Sequence, residues 1–321
     1  MEREVRASFL DKSTVDRGDL SFQQLEAELE ECHYFDLTAP TEVVERIRNV
    51  EVVVSNKVVL AESELRQATN LKLICLAATG TNNVDLDAAK SLNIAVTNVT
   101  RYAAPAVAQH VFALILALST RLLDYQKAVL EGTWQRHPFF CLLDFPITEL
   151  AGKTIGIVGY GDLGQAVAKI ARAFDMKVLI AQRVGSAQPQ PDRIPLQQLL
   201  TEVDVLSLHC PLVAETRHLI GAEQLALMKP NALLINTARG AIVDEYALAH
   251  ALRNHQIAGA GIDVLAEEPP VAGSPLIDGS LQNLIVTPHI AWATQEARQR
   301  LIDEIALNVR SFKLGEQRNI V

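Results

Sequence analysis

Cysteine is scarce in this sequence: there are four in 321 residues, at Cys32, Cys75, Cys141 and Cys210. They are widely scattered, with no CxxC pair and no metal-ligand spacing. That speaks against a disulfide scaffold and a metal site, and leads us to expect reduced, mostly buried thiols in a cytoplasmic protein. Positive charge is also short, with 29 Lys and Arg against 38 Asp and Glu, a formal net charge of −9. Such a balance argues against a nucleic-acid surface and against binding to an anionic membrane. A long apolar run is missing as well. The most apolar stretch, 103–118, is interrupted by Gln109 and His110, so it is too short and too polar to span a bilayer. The start, Met1-Glu2-Arg3-Glu4-Val5-Arg6, is charged and has no apolar signal core. No repeat or low-complexity segment is visible.

What is present is apolar material in short, ordered runs. Hydrophobic residues make up 49% of the chain, enough for sizeable cores, and 321 residues suggest two domains. The first hundred residues alternate short strands and helices. Strands are expected at 5–10, 34–37, 52–54, 73–76 and 94–97, with helices marked by Phe22, Leu25 and Leu29, by Val43, Val44 and Ile47 after Pro40, and by 86–92. This is a βαβ pattern of about five strands, a small flavodoxin-like domain. The stretch 104–130 reads as one long helix with more apolar surface than one core stripe requires, which suggests a buried interdomain or subunit contact.

The chain is organised around Thr154-Ile155-Gly156-Ile157-Val158-Gly159-Tyr160-Gly161-Asp162-Leu163-Gly164. An apolar run leads into Gly-x-Gly-x-x-Gly, and Ala166, Val167, Ile170, Ala171 and Phe174 follow at helical spacing. The reading is strand, tight turn, helix: Gly159 allows the turn, Gly161 lets backbone approach a pyrophosphate, and Gly164 lets helix and strand pack closely. The free N–H groups at the helix start, around Asp162 and Leu163, then face an anion. Six strands follow in order, at 154–158, 177–181, 203–208, 232–236, 260–264 and 284–287, most of them separated by helices. That count fits a dinucleotide-binding Rossmann domain. The last helix, 295–312, has no strand after it and is expected to cross back onto the N-terminal domain.

Polar groups at strand ends carry the chemistry. The position that normally holds an acidic residue for the ribose 2′-hydroxyl falls near Gln182, with Arg183 next to it and Ser186 close by. A carboxylate would repel a 2′-phosphate, while an arginine bonds one bidentately. NADP(H) is therefore expected to serve at least as well as NAD(H), the alternative being a solvated Arg183 with Gln182 on the ribose. Three further strand ends carry Asn236-Thr237-Ala238-Arg239-Gly240, then Asp263 leading to Glu267-Glu268-Pro269-Pro270, then Thr287-Pro288-His289. Taken singly, Arg239 reads as a surface residue, Glu268 as a cap and His289 as a core histidine. At carboxyl ends of strands in one sheet, they read as an Arg, a carboxylate and a His converging on one crevice. In the N-terminal half, Ala77-Ala78-Thr79-Gly80-Thr81-Asn82-Asn83-Val84-Asp85 is a polar loop after a strand. Residue physics favours an ordinary turn capped by Asp85, with a carboxylate-binding nest of N–H groups as the other reading.

These residues resemble the D-isomer-specific 2-hydroxyacid dehydrogenase family. The resemblance covers almost the whole chain and is strongest at 71–99, 152–164, His209-Cys210-Pro211-Leu212 to Thr216-Arg217, and 233–297. Leu234-Ile235-Asn236-Thr237-Ala238-Arg239-Gly240-Ala241-Ile242-Val243-Asp244-Glu245 and the Pro288-His289 segment are highly specific to it. It implies an α/β fold of two Rossmann-like or flavodoxin-like parallel-sheet domains with a cleft between them. A discontinuous substrate domain, 1–100 plus 290–321, would accompany a cofactor domain, 101–289, that carries a homodimer contact. It also implies Arg239 on the substrate's carboxylate and carbonyl side, His289 as general acid/base, and Glu268, which directly precedes Pro, as its orienting partner. Ala78, Thr79 and Gly80 look like the family's carboxylate-binding loop, which reverses the plainer reading of that stretch. Cofactor contacts are expected at Gly159, Gly161, Asp162, Leu163, Gly164, Gln182, Arg183, Cys210, Pro211, Thr216, Thr237, Ala238 and Asp263. Two departures stand out: the missing acidic ribose residue, and Gln109 where the family often has Glu before His110.

The implied reaction reduces a 2-keto acid: hydride from nicotinamide C4, a proton from the imidazole, and charge stabilisation by a guanidinium fork. Several strings resemble the branch of the family that interconverts hydroxypyruvate and D-glycerate, and glyoxylate and glycolate. They are Ser55-Asn56-Lys57-Val58-Val59, the 77–85 loop, Trp134-Gln135-Arg136 ahead of Asp144-Phe145-Pro146, and His289-Ile290-Ala291-Trp292-Ala293. With the chain ending soon after the last helix, the regulatory extension of many phosphoglycerate dehydrogenases is not expected. The rival readings are a phosphoglycerate- or D-lactate-type dehydrogenase, and a dinucleotide-sensing corepressor or binding module on the same scaffold.

Overall fold

Short β-branched and leucine runs become strands buried on both faces, as parallel strands covered by helices must be. In the computed structural model, which describes residues 5–186 and 190–321, the first five are β1 (Arg6–Phe9), β2 (Glu31–Tyr34), β3 (Val52–Ser55), β4 (Leu73–Leu76) and β5 (Ala95–Thr97). The charged residues 1–4, on which the reading of the N-terminus rests, lie outside the described residues. All five strands are parallel, in the order β2-β1-β3-β4-β5. The connecting helices are α1 (Gln23–Glu26), α2 (Val43–Ile47), α3 (Glu62–Leu65) and α4 (Leu86–Ser91), the last capped by Asp85, which accepts from Ala88 N at 2.9 Å. β2 lies three residues earlier than the expected strand at 34–37. It is an edge strand that alternates exposed Glu31 and His33 with half-buried Cys32 and Tyr34, so no apolar run marks it.

The C-terminal helix, Gln295–Leu314, starts at a Thr294 cap, ends at Gly315 with φ +74°, and packs on α1 and β4. Residues up to Ala103 therefore fold with Ala293–Val321 as one unit, and Ala104–Trp292 form a second. Arg298 on this helix binds the Asp19 carboxylate at 2.8 and 2.7 Å, holding that carboxyl down at about 2.

The second unit opens with α5 (Ala104–Ser119) and α6 (Leu122–Leu130), not the single helix expected over 104–130. The two are bent by 59° where Arg121 adopts a left-handed φ of +53°. Thr120 Oγ1 bonds back to Leu116 O at 2.6 Å and Arg121 Nε pairs with Asp124 at 2.5 Å. The corner falls at the polar Ser119-Thr120-Arg121, a break short enough to fit one continuous helix, so periodicity alone does not reveal it. The wide apolar surface of α5 has a local use: it packs on α7 (Asp162–Ala173) and on two strands of the sheet. Among the described residues no single helix is long and apolar enough to cross a membrane.

The sheet contains β6 (Thr154–Val158), β7 (Lys177–Ile180), β8 (Val205–Leu208), β9 (Leu233–Asn236), β10 (Gly259–Ile262) and β11 (Leu284–Val286), all parallel. Their order is β11-β10-β9-β8-β6-β7. A single-residue bridge from Ala181 to Ile194 adds the remnant of a further strand outside β7. With it, the strands follow the dinucleotide-binding order in which the chain reverses between β6 and β8. Helices α8 (Leu196–Glu202), α9 (Ala222–Leu227) and α10 (Glu245–Arg253) cover one face around Leu206, Leu208, Leu234 and Ile262. Of the four free cysteines, Cys75 and Cys210 are buried while Cys32 and Cys141 are half-buried, so burial of the thiols is only partial.

Candidate active site

The glycine turn sits at the point where strand order reverses. Gly159 has φ +93°, and a Cβ there would lie 2.5 Å from Cys210 N. A Cβ on Gly164 would lie 2.2 Å from Gly159 O, so α7 can start this close to β6 only with glycine at 164, while glycine at 159 lets the turn pass against the His209–Cys210 backbone. Gly161 differs: a Cβ there would meet nothing within 4 Å. It is the residue before α7 and has no side chain with which to cap the first amides of that helix, at Asp162, Leu163 and Gly164. One side of the turn is thus closed by packing and the other is open.

Sheet register then lines up a row of polar side chains. Val158 pairs with Leu208, Leu208 with Asn236, and Asn236 with Ile262. The next positions along these strands are Gly159, His209, Thr237 and Asp263. His209 Nε2 meets Ser207 Oγ at 2.8 Å, but its Nδ1 is buried with no partner, and so is Thr237 Oγ1. Burial pushes the His209 imidazole down to about 4, so it is neutral near pH 7. Buried polar atoms are almost always paired. Two orphans side by side, next to an open glycine turn at a helix N-terminus, fit a polar ligand with a pyrophosphate, as a nicotinamide dinucleotide has.

The neighbouring loops are rigid. Buried Asn236 accepts from Ala238 N at 3.0 Å and donates to Arg239 O at 2.9 Å, closing the turn after β9. Arg239 is exposed and uses one donor on Ala238 O at 2.7 Å; the rest of its guanidinium meets no other described residue. Cys210 is buried, which pushes its thiol up to about 11. Thr216 Oγ1 donates to Pro211 O at 2.7 Å and accepts from Val213 N at 2.8 Å. Its hydroxyl therefore shapes the 211–216 loop. Gln182 N donates to Ile194 O at 2.8 Å, and Ser186 N to Arg183 O at 3.1 Å, which leaves the Arg183 side chain exposed just beyond β7.

The loops after β10 and β11 meet in one bonded pair. His289 Nδ1 lies 2.6 Å from Glu268 Oε2. Glu268 Oε1 accepts from Leu265 N at 2.8 Å, and Glu245 braces the same loop through Ala266 N at 2.7 Å and Ser274 Oγ at 2.6 Å. The carboxylate on His289 is thus that of Glu268. A carboxylate on Nδ1 fixes that nitrogen as the donor and leaves Nε2, which bonds no described residue, to exchange a proton. His289 has φ +55°, and its carbonyl accepts from Trp292 Nε1 at 3.0 Å. Asp263 is 1% exposed and bonds the backbone of residues 289–291 directly, with its carbonyl on His289 N at 2.8 Å and its carboxylate on Ile290 N and Ala291 N at 3.0 and 2.9 Å. Its carboxylate is thus committed to protein.

In the N-terminal unit, the loop after β4 fixes itself through Thr79 Oγ1 on Val99 O at 2.7 Å and Asn98 Nδ2 on Thr79 O at 2.8 Å. The main-chain N–H groups of Ala78, Thr79 and Gly80 donate to no other described residue. Among the described residues no group of three or more His, Cys, Asp or Glu is arranged to hold a metal ion. Asn236, Glu245, His209 and the bracing role of Asp263 escaped the sequence reading. A polar residue ending a fully apolar strand, as Asn236 does, was the available signal.

A Rossmann glycine turn, a carboxylate-held imidazole and an uncommitted guanidinium at the ends of one sheet's strands define a nicotinamide-dinucleotide oxidoreductase. The family described as D-isomer specific 2-hydroxyacid dehydrogenase, NAD binding domain, matches residues 112–291, and the chain belongs to that family. It is 44% identical to a glycerate dehydrogenase of Methylorubrum extorquens over 98% of each chain. It is 37% identical to a hydroxypyruvate reductase of Blautia hydrogenotrophica, over 97% of this chain and 98% of that one. Among solved structures, an acyclic imino acid reductase in complex with NADPH and D-Arg superposes with a TM-score of 0.86 at 29% identity, over 98% of this chain and 99% of the other. The protein is an NAD(P)-dependent 2-hydroxyacid oxidoreductase.

Proposed function

We propose that the protein reduces hydroxypyruvate to D-glycerate, and glyoxylate to glycolate, with NADPH used at least as well as NADH. The observation that carries the chemistry is the 2.6 Å bond from Glu268 to His289 Nδ1, which leaves Nε2 for the proton step. Bound nicotinamide dinucleotide supplies the hydride to the carbonyl carbon. His289 Nε2 gives the proton to the carbonyl oxygen, and Glu268 holds the tautomer and stabilises the imidazolium. Arg239 binds the carboxylate side of the substrate through its free donors and steadies charge developing on oxygen. In the unit 1–103 plus 293–321, the unengaged amides of Ala78, Thr79 and Gly80 take the substrate carboxylate. The unit 104–292 would hold the dinucleotide, with the amides of 161–164 for its pyrophosphate, Thr237, Ala238 and Asp263 for its nicotinamide half, and Gln182, Arg183 and the Cys210–Pro211 segment for its adenosine half. Thr216 contributes through the shape of its loop.

The choice of hydroxypyruvate is supported by the relatives named glycerate dehydrogenase and hydroxypyruvate reductase. The cofactor preference is supported by Gln182 in place of an acidic ribose residue and by the exposed Arg183 beside it. A homodimer is supported by exposed apolar side chains on α6 and in the following segment, Leu122, Leu123 and Leu130 on the helix and Phe140 and Leu143 after it, the last two 90% and 81% exposed. Sedimentation velocity should give twice the monomer mass, and Phe140→Glu with Leu143→Glu should return it to a monomer. The substrate is tested by kcat/KM for hydroxypyruvate, glyoxylate, pyruvate and phosphohydroxypyruvate with each reduced cofactor. Hydroxypyruvate should lead. Pyruvate or phosphohydroxypyruvate in first place would overturn the substrate, and a tenfold or greater preference for NADH would overturn the cofactor.

A further inference from the structure

His110 on α5 takes no part in the chemistry just described, yet its side chain reaches the His289 loop. Its Nε2 lies 2.9 Å from Thr287 Oγ1 and 3.5 Å from Asp263 Oδ1. A threonine hydroxyl has one proton to give, and that of Thr287 goes to Asp263 Oδ1 at 2.5 Å. The 2.9 Å contact is therefore donated by His110 Nε2–H. Asp263 in turn holds residues 289–291 by three backbone bonds. Thr287, by its hydroxyl, and His289, Ile290 and Ala291, by their amides, all converge on this one buried acid. The loop needs such support, because His289 has a left-handed backbone at φ +55°, a conformation that persists only where its surroundings over-determine it.

We propose that His110 is a positioning residue for His289: its Nε2–H locks the Thr287 hydroxyl onto Asp263, and Asp263 holds the backbone that aims the imidazole at Glu268. This rests on the reading of His289 as the acid/base and adds the device that holds it. His110 touches no reacting atom. It joins the long helix beside the sheet to the catalytic loop through one donor. A side chain of similar bulk without a donor would fill the space and leave Thr287 free to turn away.

The test reads the unliganded protein as well as turnover. The Nδ1–H proton of His289, shared with a carboxylate, should give a downfield proton resonance that disappears in His289→Ala. His110→Leu should broaden or shift that resonance and lower kcat roughly tenfold, with KM for the reduced cofactor within about twofold. His110→Gln, whose amide donates from a similar reach, should recover both. Thr287→Val should reproduce the leucine variant from the other side of the link, and Thr287→Ser should match wild type. The proposal is overturned if His110→Leu or Thr287→Val leaves resonance and kcat unchanged. It is equally overturned if His110→Gln is as impaired as His110→Leu, which would make His110 a packing residue. Failure of the underlying reading looks different: His289→Ala would then keep its turnover whatever His110 does.

Discussion

Both units carry a parallel sheet whose strand order reverses once, and each has an aspartate just past a strand at the carboxyl edge. In the N-terminal unit that residue is Asp11. Its two oxygens accept from Asn56 N at 2.9 Å and Lys57 N at 2.6 Å, while Thr14 and Thr38 hydroxyls close on Asp11 O and Leu10 O. In the second unit Asp263 is equally committed, but to the loop that carries His289, and the same edge leaves His209 Nδ1 and Thr237 Oγ1 without partners. Around Asp11 the first edge satisfies its own polar groups and leaves only the amides of Ala78, Thr79 and Gly80, after β4, unengaged; the other uses some polar groups to aim a histidine and leaves buried side-chain atoms for a ligand. The same topology thus supports two uses, and uncommitted polar atoms distinguish them better than fold does.

The largest effect that would sharpen this contrast comes from Arg239→Lys. A point charge cannot replace the planar fork, so KM for hydroxypyruvate should rise roughly 10–100-fold with a smaller change in kcat. Steady-state kinetics with saturating NADPH decide it, and an unchanged KM would remove Arg239 from the substrate.

Asp11→Ala should do the reverse. Losing the acceptor for two backbone amides, the one at Asn56 buried, costs about 1–3 kcal/mol, so Tm should fall by roughly 3–10 °C while kcat stays within about twofold. A large loss of kcat without loss of Tm would show that Asp11 is not merely structural.

The smallest effect is a pH slope. His209 is held near 4 in the folded chain against an ordinary 6.5. Below about 6.5 the unfolded chain binds a proton that the folded one refuses, so stability should fall with pH down to about 4, by up to about 1.4 kcal/mol per pH unit. In the other unit Asp19, held at about 2 by Arg298, stays ionised through this window, and its contribution is lost only as the pH falls below about 4 towards 2. Urea denaturation at pH 7, 5.5 and 4.5 should therefore show a slope that His209→Asn removes. A slope that survives the substitution would assign the acid sensitivity elsewhere.

Much of this was legible in the residues. The strands at 52–54, 73–76 and 154–158 stood out because buried parallel strands are continuous apolar runs, and the glycine hexad located the turn because its spacing follows from backbone packing. Arg239, Glu268 and His289 stood out as charged groups at strand ends. What was hidden depends on partners distant in sequence. The corner at Arg121 is a single left-handed residue in a three-residue polar break, Ser119-Thr120-Arg121, that a continuous helix could equally carry. β2 is an edge strand without an apolar run. Asp263 stood out as a cofactor contact, while its bracing bonds to Ile290 and Ala291 were not visible in the sequence. His110 looked like a polar interruption in a helix until Thr287 was found beside it.

The most direct measurement is the reduction of hydroxypyruvate by NADPH in His289→Ala, with cofactor binding followed in parallel by fluorescence. The account predicts that kcat falls about 10²–10⁴-fold while NADPH still binds with wild-type affinity. Near-wild-type turnover in that variant would contradict it.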